Sequence, residues 1–232
     1  MASCVVGGIN LSVMSSVTSA LLAQDPTQAL LVSVVWYSRI TDGHPRTFRY
    51  CLSSDKETNA MATYLAARGL KKVAFLYVND EFGLDAHECF KTHAAQKGLT
   101  LAFRESFDKT GADIDGVVTK ALTINPEAVY FVGYANSLAI IAKRLNELSY
   151  RGVRCSFSSF LVPQVLQQAG TSSEGVLFTS AGYDPMAPVD DVQRRFIDAY
   201  QASFSKKPDY YAAFCYDIMN IFLDNWERSG KD

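Results

Sequence analysis

The sequence has few of the residues that mark several classes of protein. Histidine occurs only three times in 232 residues, and 22 Lys and Arg are balanced by 24 Asp and Glu, for a formal charge of −2. Proteins that bind nucleic acid need a basic surface that displaces counterions from phosphates, so we expect no nucleic-acid partner. Aromatic residues make up 12% of the chain and no long polar tract occurs, which excludes a disordered chain.

Motifs that mark enzyme sites are absent as well. The sequence contains no GxxxxGK[ST] or GxGxxG phosphate-binding loop, no GxSxG nucleophile turn and no HExxH zinc motif. Cys89 and His93 stand four residues apart on a predicted helix, but two metal ligands without a third do not make a site. We therefore expect no metal, no cofactor and no enzymatic activity.

The cysteines are odd in number and widely spaced, and no CxxC pair occurs. This pattern excludes a zinc ribbon or a thioredoxin motif and does not resemble a disulfide scaffold. Because a free cysteine behaves as a small apolar residue, we expect buried thiols. The cysteines are Cys4, Cys51, Cys89, Cys155 and Cys215.

The N-terminal region has no Lys or Arg in residues 1–38. A secretion signal needs a positive segment ahead of its apolar stretch, and the serines within Leu11–Ala23 make that stretch too polar to span a membrane. We expect instead a short strand, Cys4–Ile9, followed by an amphipathic helix, and no signal peptide in this chain.

What the sequence does contain is a regular alternation of apolar runs and segments with helical periodicity. Val73–Val78 (VAFLYV) is a continuous apolar run, which is typical of a strand covered on both faces of a parallel sheet. The alternation of strands and helices predicts a doubly wound α/β architecture. The predicted strands are Ser3–Ile9, Ala29–Val35, Phe48–Cys51, Lys72–Val78, Leu99–Phe107, Ala128–Val132, Val153–Phe157 and Gly175–Thr179.

Helical patterns with recognisable ends fill several of the intervening segments. Ser54 and Glu57 stand at capping-box spacing at the start of the first of these helices. Leu52–Asp55 and Ala181–Val189 are candidate connections between two domains. The clearest predicted helices are Lys56–Arg68, Ile114–Ile124, Val192–Phe204 and Tyr211–Ser229.

Two loops that follow predicted strands carry candidate functional residues. Asp80 and Glu81 come after the strand Lys72–Val78, at the carboxyl edge where α/β sheets form ligand sites. The pattern favours N-capping of the next helix by Asp80 over catalysis, because no nucleophile or paired acid is evident. Trp36 and Tyr37 follow the strand Ala29–Val35, and two adjacent aromatic residues in such a loop are hard to explain by core spacing alone, so ligand contact and core packing both stay open at this point.

Four pieces of the chain, in order and at matching spacing, resemble the type I periplasmic solute-binding proteins, the leucine/isoleucine/valine-binding group of ABC-transporter receptors. The first resembles the family's crossover strand, helix, strand and D-x-(Y/F)-G loop: FRYCLSSDKETNAMATYLAARGLKKVAFLYVNDEFG. The second resembles its D-(F/I)-x-x-(L/V)…P-(D/E)-A-V segment: TGADIDGVVTKALTINPEAVYFVGY. The last two, EGVLFTSAGYDP and KKPDYYAAFCYDIM, resemble its EGV…YDP and P-D-x-Y-A-A-x-x-Y-D pieces.

The resemblance implies a two-lobed architecture of doubly wound parallel sheets, with a solute held in the cleft between the lobes. It assigns residues 1–52 and 182–232 to a partial first lobe, and residues 53–181 to a complete second lobe. The family's N-terminal βα units and C-terminal return strands have no counterpart in the sequence. If Cys4–Ile9 is the family's third strand, its inner edge lacks a partner, so we expect self-association through residues 3–9.

The resemblance also indicates which loops contact the ligand. The amino-acid binders' S-x-G-A-T stretch is replaced by SVVWYS, and Ser159 stands where they place an acid for the ligand's ammonium group. An ammonium group without a compensating charge is costly in a closed cleft, which disfavours a plain α-amino acid. The implied ligand-binding residues are Leu11, Ser12, Ser33, Trp36, Tyr37, Phe82, Tyr134, Ser159 and Phe160.

We therefore expect a non-catalytic solute-binding protein, the substrate-binding component of an ABC importer for branched-chain-amino-acid-like or aromatic acid ligands. The ligand would be a small molecule with a carboxylate or amide group, the protein partner a membrane permease, and the location the periplasm or the cell exterior. Two alternatives stay open. One is a sensory or regulatory domain of the same fold, and the other is an α/β enzyme, against which the missing nucleophile and cofactor signatures argue.

Overall fold

The computed structural model describes residues 4–7, 20, 23, 29–32, 35–37, 40–42 and 45–228. The chain forms two compact units. The first unit comprises Met1–Leu52 and Ala181–Asp232, and the second comprises Ser53–Ser180. The assignment of these units to the two lobes of a binding protein stays a prediction.

Strands and helices alternate along the chain, and each predicted strand is found, within its expected segment except for the one predicted at Phe48–Cys51, which begins one residue earlier at Thr47. The strands are β1 (Cys4–Gly7), β2 (Ala29–Val32), β3 (Thr47–Arg49), β4 (Lys72–Val78), β5 (Thr100–Phe107), β6 (Ala128–Val132), β7 (Val153–Ser156) and β8 (Val176–Phe178). The helices are α1 (Ser54–Ala67), α2 (Glu81–Gln96), α3 (Ile114–Thr123), α4 (Ala135–Glu147), α5 (Pro163–Ala169), α6 (Asp191–Phe204) and α7 (Tyr210–Arg228). The expected α/β class is confirmed.

The second unit is built on a five-stranded parallel sheet in the order β5-β4-β6-β7-β8. All residues of β6 are buried, and Val73–Leu76 of β4 have no exposed surface. A strand covered by helices on both faces needs apolar residues at every position rather than at alternate positions. The continuous apolar run that predicted a parallel sheet therefore has the expected physical cause.

The first unit contains a three-stranded parallel sheet in the order β1-β2-β3. Helices α6 and α7 of this unit pack through Phe196, Ile197 and Ala213, with Tyr183 and Tyr200 around them. The ring of Phe196 lies 5.9 Å from that of Tyr200, so aromatic contacts contribute to this small core.

The predicted capping of two helices is half right. Asp80 is the N-cap of α2, as expected, and its side chain accepts a hydrogen bond from the N–H of Gly83. The cap of α1 is Ser53 rather than Ser54, and the Ser53 side chain accepts from the N–H of Lys56. The capping-box prediction is wrong because a cap at Ser53 puts Lys56, not Glu57, at the third helical position, and the Glu57 carboxylate bonds Ser158 far along the chain.

The prediction of buried cysteines holds for Cys155 but not for Cys51, Cys89 or Cys215. Cys155 on β7 is completely buried, and burial raises the pKa of its thiol well above the ordinary value. Cys51 and Cys89 are half-buried, and Cys215 on α7 is exposed. Wide spacing in the sequence excludes a disulfide scaffold but does not determine which face of a helix a cysteine occupies.

The predicted amphipathic helix and the absence of a signal peptide concern residues that lie outside the described part of the chain. Among the described residues, no helix combines the length and the apolar character that crossing a membrane requires.

Candidate functional site

The carboxyl ends of the second unit's strands meet at one edge of the sheet, and the loops that follow them form the candidate site. β4 and β6 are neighbours, but the chain leaves β4 toward β5 on one side and returns to β6 on the other. Open α/β sheets bind ligands at such a switch point. It is bordered here by Asp80, which follows β4, and by Tyr134, which follows β6.

Asp80 is the centre of a polar cluster at this edge. Its Oδ1 accepts a hydrogen bond from the backbone N–H of Gly83 at 3.0 Å. Its Oδ2 accepts a hydrogen bond from the Tyr134 hydroxyl at 2.9 Å and lies 3.3 Å from the Nζ of Lys109. Both carboxylate oxygens are therefore engaged, one by the helix and one by side chains from two other loops. We refer to Asp80, Lys109 and Tyr134 as the Asp80 cluster.

Tyr134 presents an aromatic surface beside this cluster. Its side chain is 46% exposed, and its ring centroid lies 5.6 Å from that of the buried Phe82. The backbone of Tyr134 is fixed at the start of α4, where its N–H donates to Ser137 Oγ at 3.2 Å and its carbonyl accepts from that hydroxyl at 2.8 Å. The glycine at position 133 leaves room for the Ser137 hydroxyl to reach the Tyr134 backbone, because a Cβ at Gly133 would lie 2.7 Å from Ser137 Oγ.

Lys109 reaches Asp80 from a loop that is held by its own hydrogen bonds. Asp108 Oδ1 accepts from the N–H of Thr110 at 2.8 Å and from its hydroxyl at 2.6 Å. These two bonds lower the pKa of the Asp108 carboxyl. The N–H of Asp108 donates to Asp113 Oδ1 at 2.9 Å, which connects the loop to the start of α3. The Lys109 side chain is 61% exposed and so offers an accessible cation.

The loop after β7 forms a short 3-10 turn, Ser158–Leu161. Ser159 is buried, and its hydroxyl donates to the carbonyl of Gly133 at 3.4 Å. Phe160 is 1% exposed and packs against Phe131 and Phe178, with ring centroids 5.9 and 6.5 Å away. The turn thus connects the loop that carries Tyr134 to the core of the second unit.

The turn is also held by a buried carboxylate from α1. Glu57 is 1% exposed, and its oxygens accept hydrogen bonds from the N–H and the hydroxyl of Ser158, each at 2.8 Å. The hydroxyl of Thr179, which follows β8, donates to the same carboxylate. Ser158 and Thr179 therefore share one acceptor that lies more than 100 positions from each of them in the chain.

The first-unit residues predicted to contact ligand are described only in part. Trp36 is buried and meets the ring of Tyr211 edge-on at 5.9 Å. Tyr37 is half-buried, and its carbonyl accepts from Arg49 Nη1 at 2.7 Å. Three other predicted ligand residues, Leu11, Ser12 and Ser33, lie outside the described residues.

The structure brings together part of the predicted site. Phe82 and Tyr134 are in ring contact, and Ser159 bonds the residue before Tyr134. Sequence reasoning missed Lys109 and Glu57. Lys109 was detectable in principle, because it lies two positions after a predicted strand, at the carboxyl edge. Contact with ligand stays a prediction for all nine residues.

Metal binding finds no support in the described part of the chain. No group of three or more His, Cys, Asp or Glu residues there could hold an ion. His93 Nε2 lies 2.9 Å from Asp55 Oδ1 on α1. This bond joins two helices of the second unit.

Many α/β proteins bind small molecules where the strands of a parallel sheet end, at the switch point of the sheet. The second unit has polar and aromatic side chains at this place and is therefore typical of that class. The chain belongs to the periplasmic binding protein family, whose model matches residues 2–232. The family resemblance drawn from the sequence is therefore confirmed.

Individual relatives fall within the same group. The chain is 25% identical over 192 residues to a Leu/Ile/Val-binding protein homolog of Brucella melitensis, a match that covers 82% of this chain and 50% of that protein. Its fold is similar to that of the leucine-binding protein LivK from Thermotoga maritima, with a TM-score of 0.85, 22% identity, and coverage of 98% of this chain and 65% of that one.

A third similar protein is a solute-binding protein of an ABC transporter from Rhodopseudomonas palustris, solved in complex with 3,4-dihydroxybenzoic acid. Its TM-score is 0.81 at 20% identity, and the match covers 98% of this chain and 62% of that one. The chain thus spans about half the length of the curated relative and less than two thirds of these solved structures. At these identities the structural matches establish the fold.

Proposed function

We propose that this chain is the solute-binding part of a periplasmic ABC importer and holds a small carboxylic acid or amide with an apolar or aromatic body. Binding involves no chemical conversion, and a membrane permease receives the solute. The family match and the transport proteins among the relatives support this role. The side chains of the Asp80 cluster support a carboxylic acid or amide as the ligand.

The charges of the cluster favour an acid over a free amino acid. Both oxygens of Asp80 already accept donors of the protein and its charge is paired with the Lys109 ammonium, so a ligand ammonium would have to compete with these partners for the carboxylate. Ser159, at the position where amino-acid binders are expected to carry an acid, is neutral. An unpaired ammonium would lose its hydration without compensation.

The donors of the cluster suit a carboxylate. Lys109 supplies an exposed ammonium, whose three N–H groups can serve a ligand carboxylate as well as Asp80. The Tyr134 hydroxyl donates its one proton to Asp80 and can accept from a hydroxyl or amide of the ligand. Hydrogen bonds from charged donors to a carboxylate are shorter and about twice as strong as those between neutral groups. The exposed ring of Tyr134, with Phe82 behind it, offers a surface for an aromatic body.

The names of the relatives include both kinds of ligand. One similar protein is a leucine-binding protein, and another was solved with 3,4-dihydroxybenzoic acid. Calorimetric titration of this chain with benzoate, 3,4-dihydroxybenzoate and L-leucine separates the two classes. We expect the aromatic acids to bind more tightly than leucine.

Two lysine variants test the assigned site. Lys109→Gln removes the cation of the cluster and should weaken benzoate binding about tenfold. Lys91→Gln is the matched control, because Lys91 is similarly exposed, pairs with Glu88 on α2 and lies outside the cluster. Tight leucine binding with no response to either acid would contradict the proposed ligand class. Equal losses of benzoate affinity in the two lysine variants would contradict the assignment of the site to the Asp80 cluster.

A further inference from the structure

We infer that Glu57 is a positioning residue that couples the predicted ligand turn, Ser158–Leu161, to the segment through which the chain leaves the second unit. Glu57 lies on the first turn of α1, four residues after Ser53, where the second unit begins. Thr179 is the residue before Ser180, where the unit ends. The inference rests on the proposed function only in treating the turn as a ligand contact.

The geometry of the carboxylate supports this role. One oxygen accepts from the Ser158 N–H and from Thr179, and the other accepts from the Ser158 hydroxyl. Three donors from two distant segments therefore converge on a single side chain that is 1% exposed. Hydrogen bonds to a buried charge are stronger than average and are costly to break singly.

The neighbouring residues explain why a shift of the turn would reach Thr179. Ser158 is the first residue of the turn, directly before Ser159, and β7 and β8 are adjacent strands whose carboxyl ends carry the two donor segments. A displacement of Ser158 would move the Glu57 carboxylate and hence its bond to Thr179. Connected polar groups in a buried network act together rather than singly.

The coupling is testable without any ligand, by amide hydrogen exchange and by the NMR shift of the Ser158 N–H. Thr179→Val removes one donor and leaves both Ser158 bonds in place. We expect exchange of the Ser158 and Ser159 amides to become about three- to tenfold faster, and the Ser158 N–H resonance to move. A purely local role for Thr179 predicts no change in the turn, and that result would overturn the inference.

Variants of Glu57 provide the second measurement. Glu57→Ala removes all three bonds. Amide exchange in the turn and at Thr179–Ser180 should then become faster together, by about tenfold or more, which is the effect expected when a hydrogen bond to a charged group is lost. Glu57→Gln should restore most of the protection, because its carbonyl can accept from the Ser158 N–H and the Thr179 hydroxyl while its amide donates to the Ser158 hydroxyl. Acceleration in only one of the two segments would contradict the coupling.

Thr58→Val is the matched control. Thr58 is buried on the same helix, but its hydroxyl donates to the Ser54 carbonyl within the helix, at 2.7 Å. This variant should leave exchange in both segments unchanged. If Glu57→Ala does not fold, Thr179→Val and Thr58→Val still decide the question. A chain that binds none of the solutes named above would contradict the proposed function, but it would not alter these exchange results.

Discussion

Gly83 shows how a single residue determines the geometry of the candidate site. A Cβ at this position would lie 1.9 Å from the backbone oxygen of Val78, and backbone cannot move aside as a flexible side chain can. The absence of a side chain lets α2 start directly against the end of β4. This close start brings the N–H of Gly83 within bonding distance of Asp80.

Two glycine variants test this account with opposite expected signs. Gly83→Ala should lower the free energy of unfolding by about 1–3 kcal/mol, because it overpacks the junction. Gly116→Ala should raise it by roughly 0.5–1 kcal/mol, because Gly116 lies in α3 with open space around it and alanine is the better helix former. Urea denaturation of both variants measures these differences. Equal effects would show that the Gly83 contact does not constrain the helix.

His87 is a second residue with a measurable consequence. It is buried on α2 and stacks on Tyr77 at 5.1 Å, and burial lowers its pKa below the ordinary value of 6.5. The nearby Glu88 opposes this shift, while Arg104 and Lys91 add to it. Below about pH 6.5 the unfolded chain therefore binds a proton that the folded chain resists, so stability falls as the pH falls.

The His87→Gln variant should show a shallower loss of stability between about pH 7 and pH 5 than the native chain, because the ionisable group is gone. Urea denaturation at several pH values in this interval measures the slope. An unchanged slope in the variant would mean that other groups cause the acid sensitivity.

At the scale of elements, β4 and β6 form the centre of the second unit. They pair with each other over Val73–Tyr77 and Ala128–Val132, and both have neighbours on their other side. Central buried strands exchange their amides only when the whole unit opens. We therefore expect the slowest amide exchange in Val73–Tyr77 and Val129–Val132. Stronger protection in residues 1–35 would contradict this order of stability.

The strands and the edge at which the site lies could be predicted from the sequence, because their signals are local. The apolar run VAFLYV can be recognised within a stretch of seven residues or fewer, and Asp80 directly precedes the helix that it caps. The choice between Ser53 and Ser54 could not be predicted, because adjacent serines offer the same capping chemistry. The partners of Glu57 lie 101 and 122 positions away, and no local pattern marks such a pairing.

At the scale of the whole molecule, β1 lies at the edge of the three-stranded sheet that the described residues form. Among the described strands it pairs with β2 alone. Its sequence, CVVG, carries neither a charge nor a proline that would prevent pairing with another chain. We expect the isolated chain to self-associate through residues 3–9.

Light scattering coupled to size exclusion measures this association over a range of protein concentrations. Val6→Lys, which places a charge in the edge strand, should shift the chain toward the monomer. A native chain that is monomeric at all concentrations, with a Val6→Lys variant that behaves identically, would show that this edge is covered.

The central claim is that the chain binds a small acid at the carboxyl edge of the second unit's sheet. The most direct measurement is NMR shift mapping of the 15N-labelled chain titrated with benzoate. We predict saturable shifts concentrated at the amides of Gly83, Lys109, Tyr134 and Ser159, and smaller shifts at the opposite edge of the sheet, at Lys71 and Gly152. Shifts centred on the opposite edge, or none at millimolar benzoate, would contradict the account.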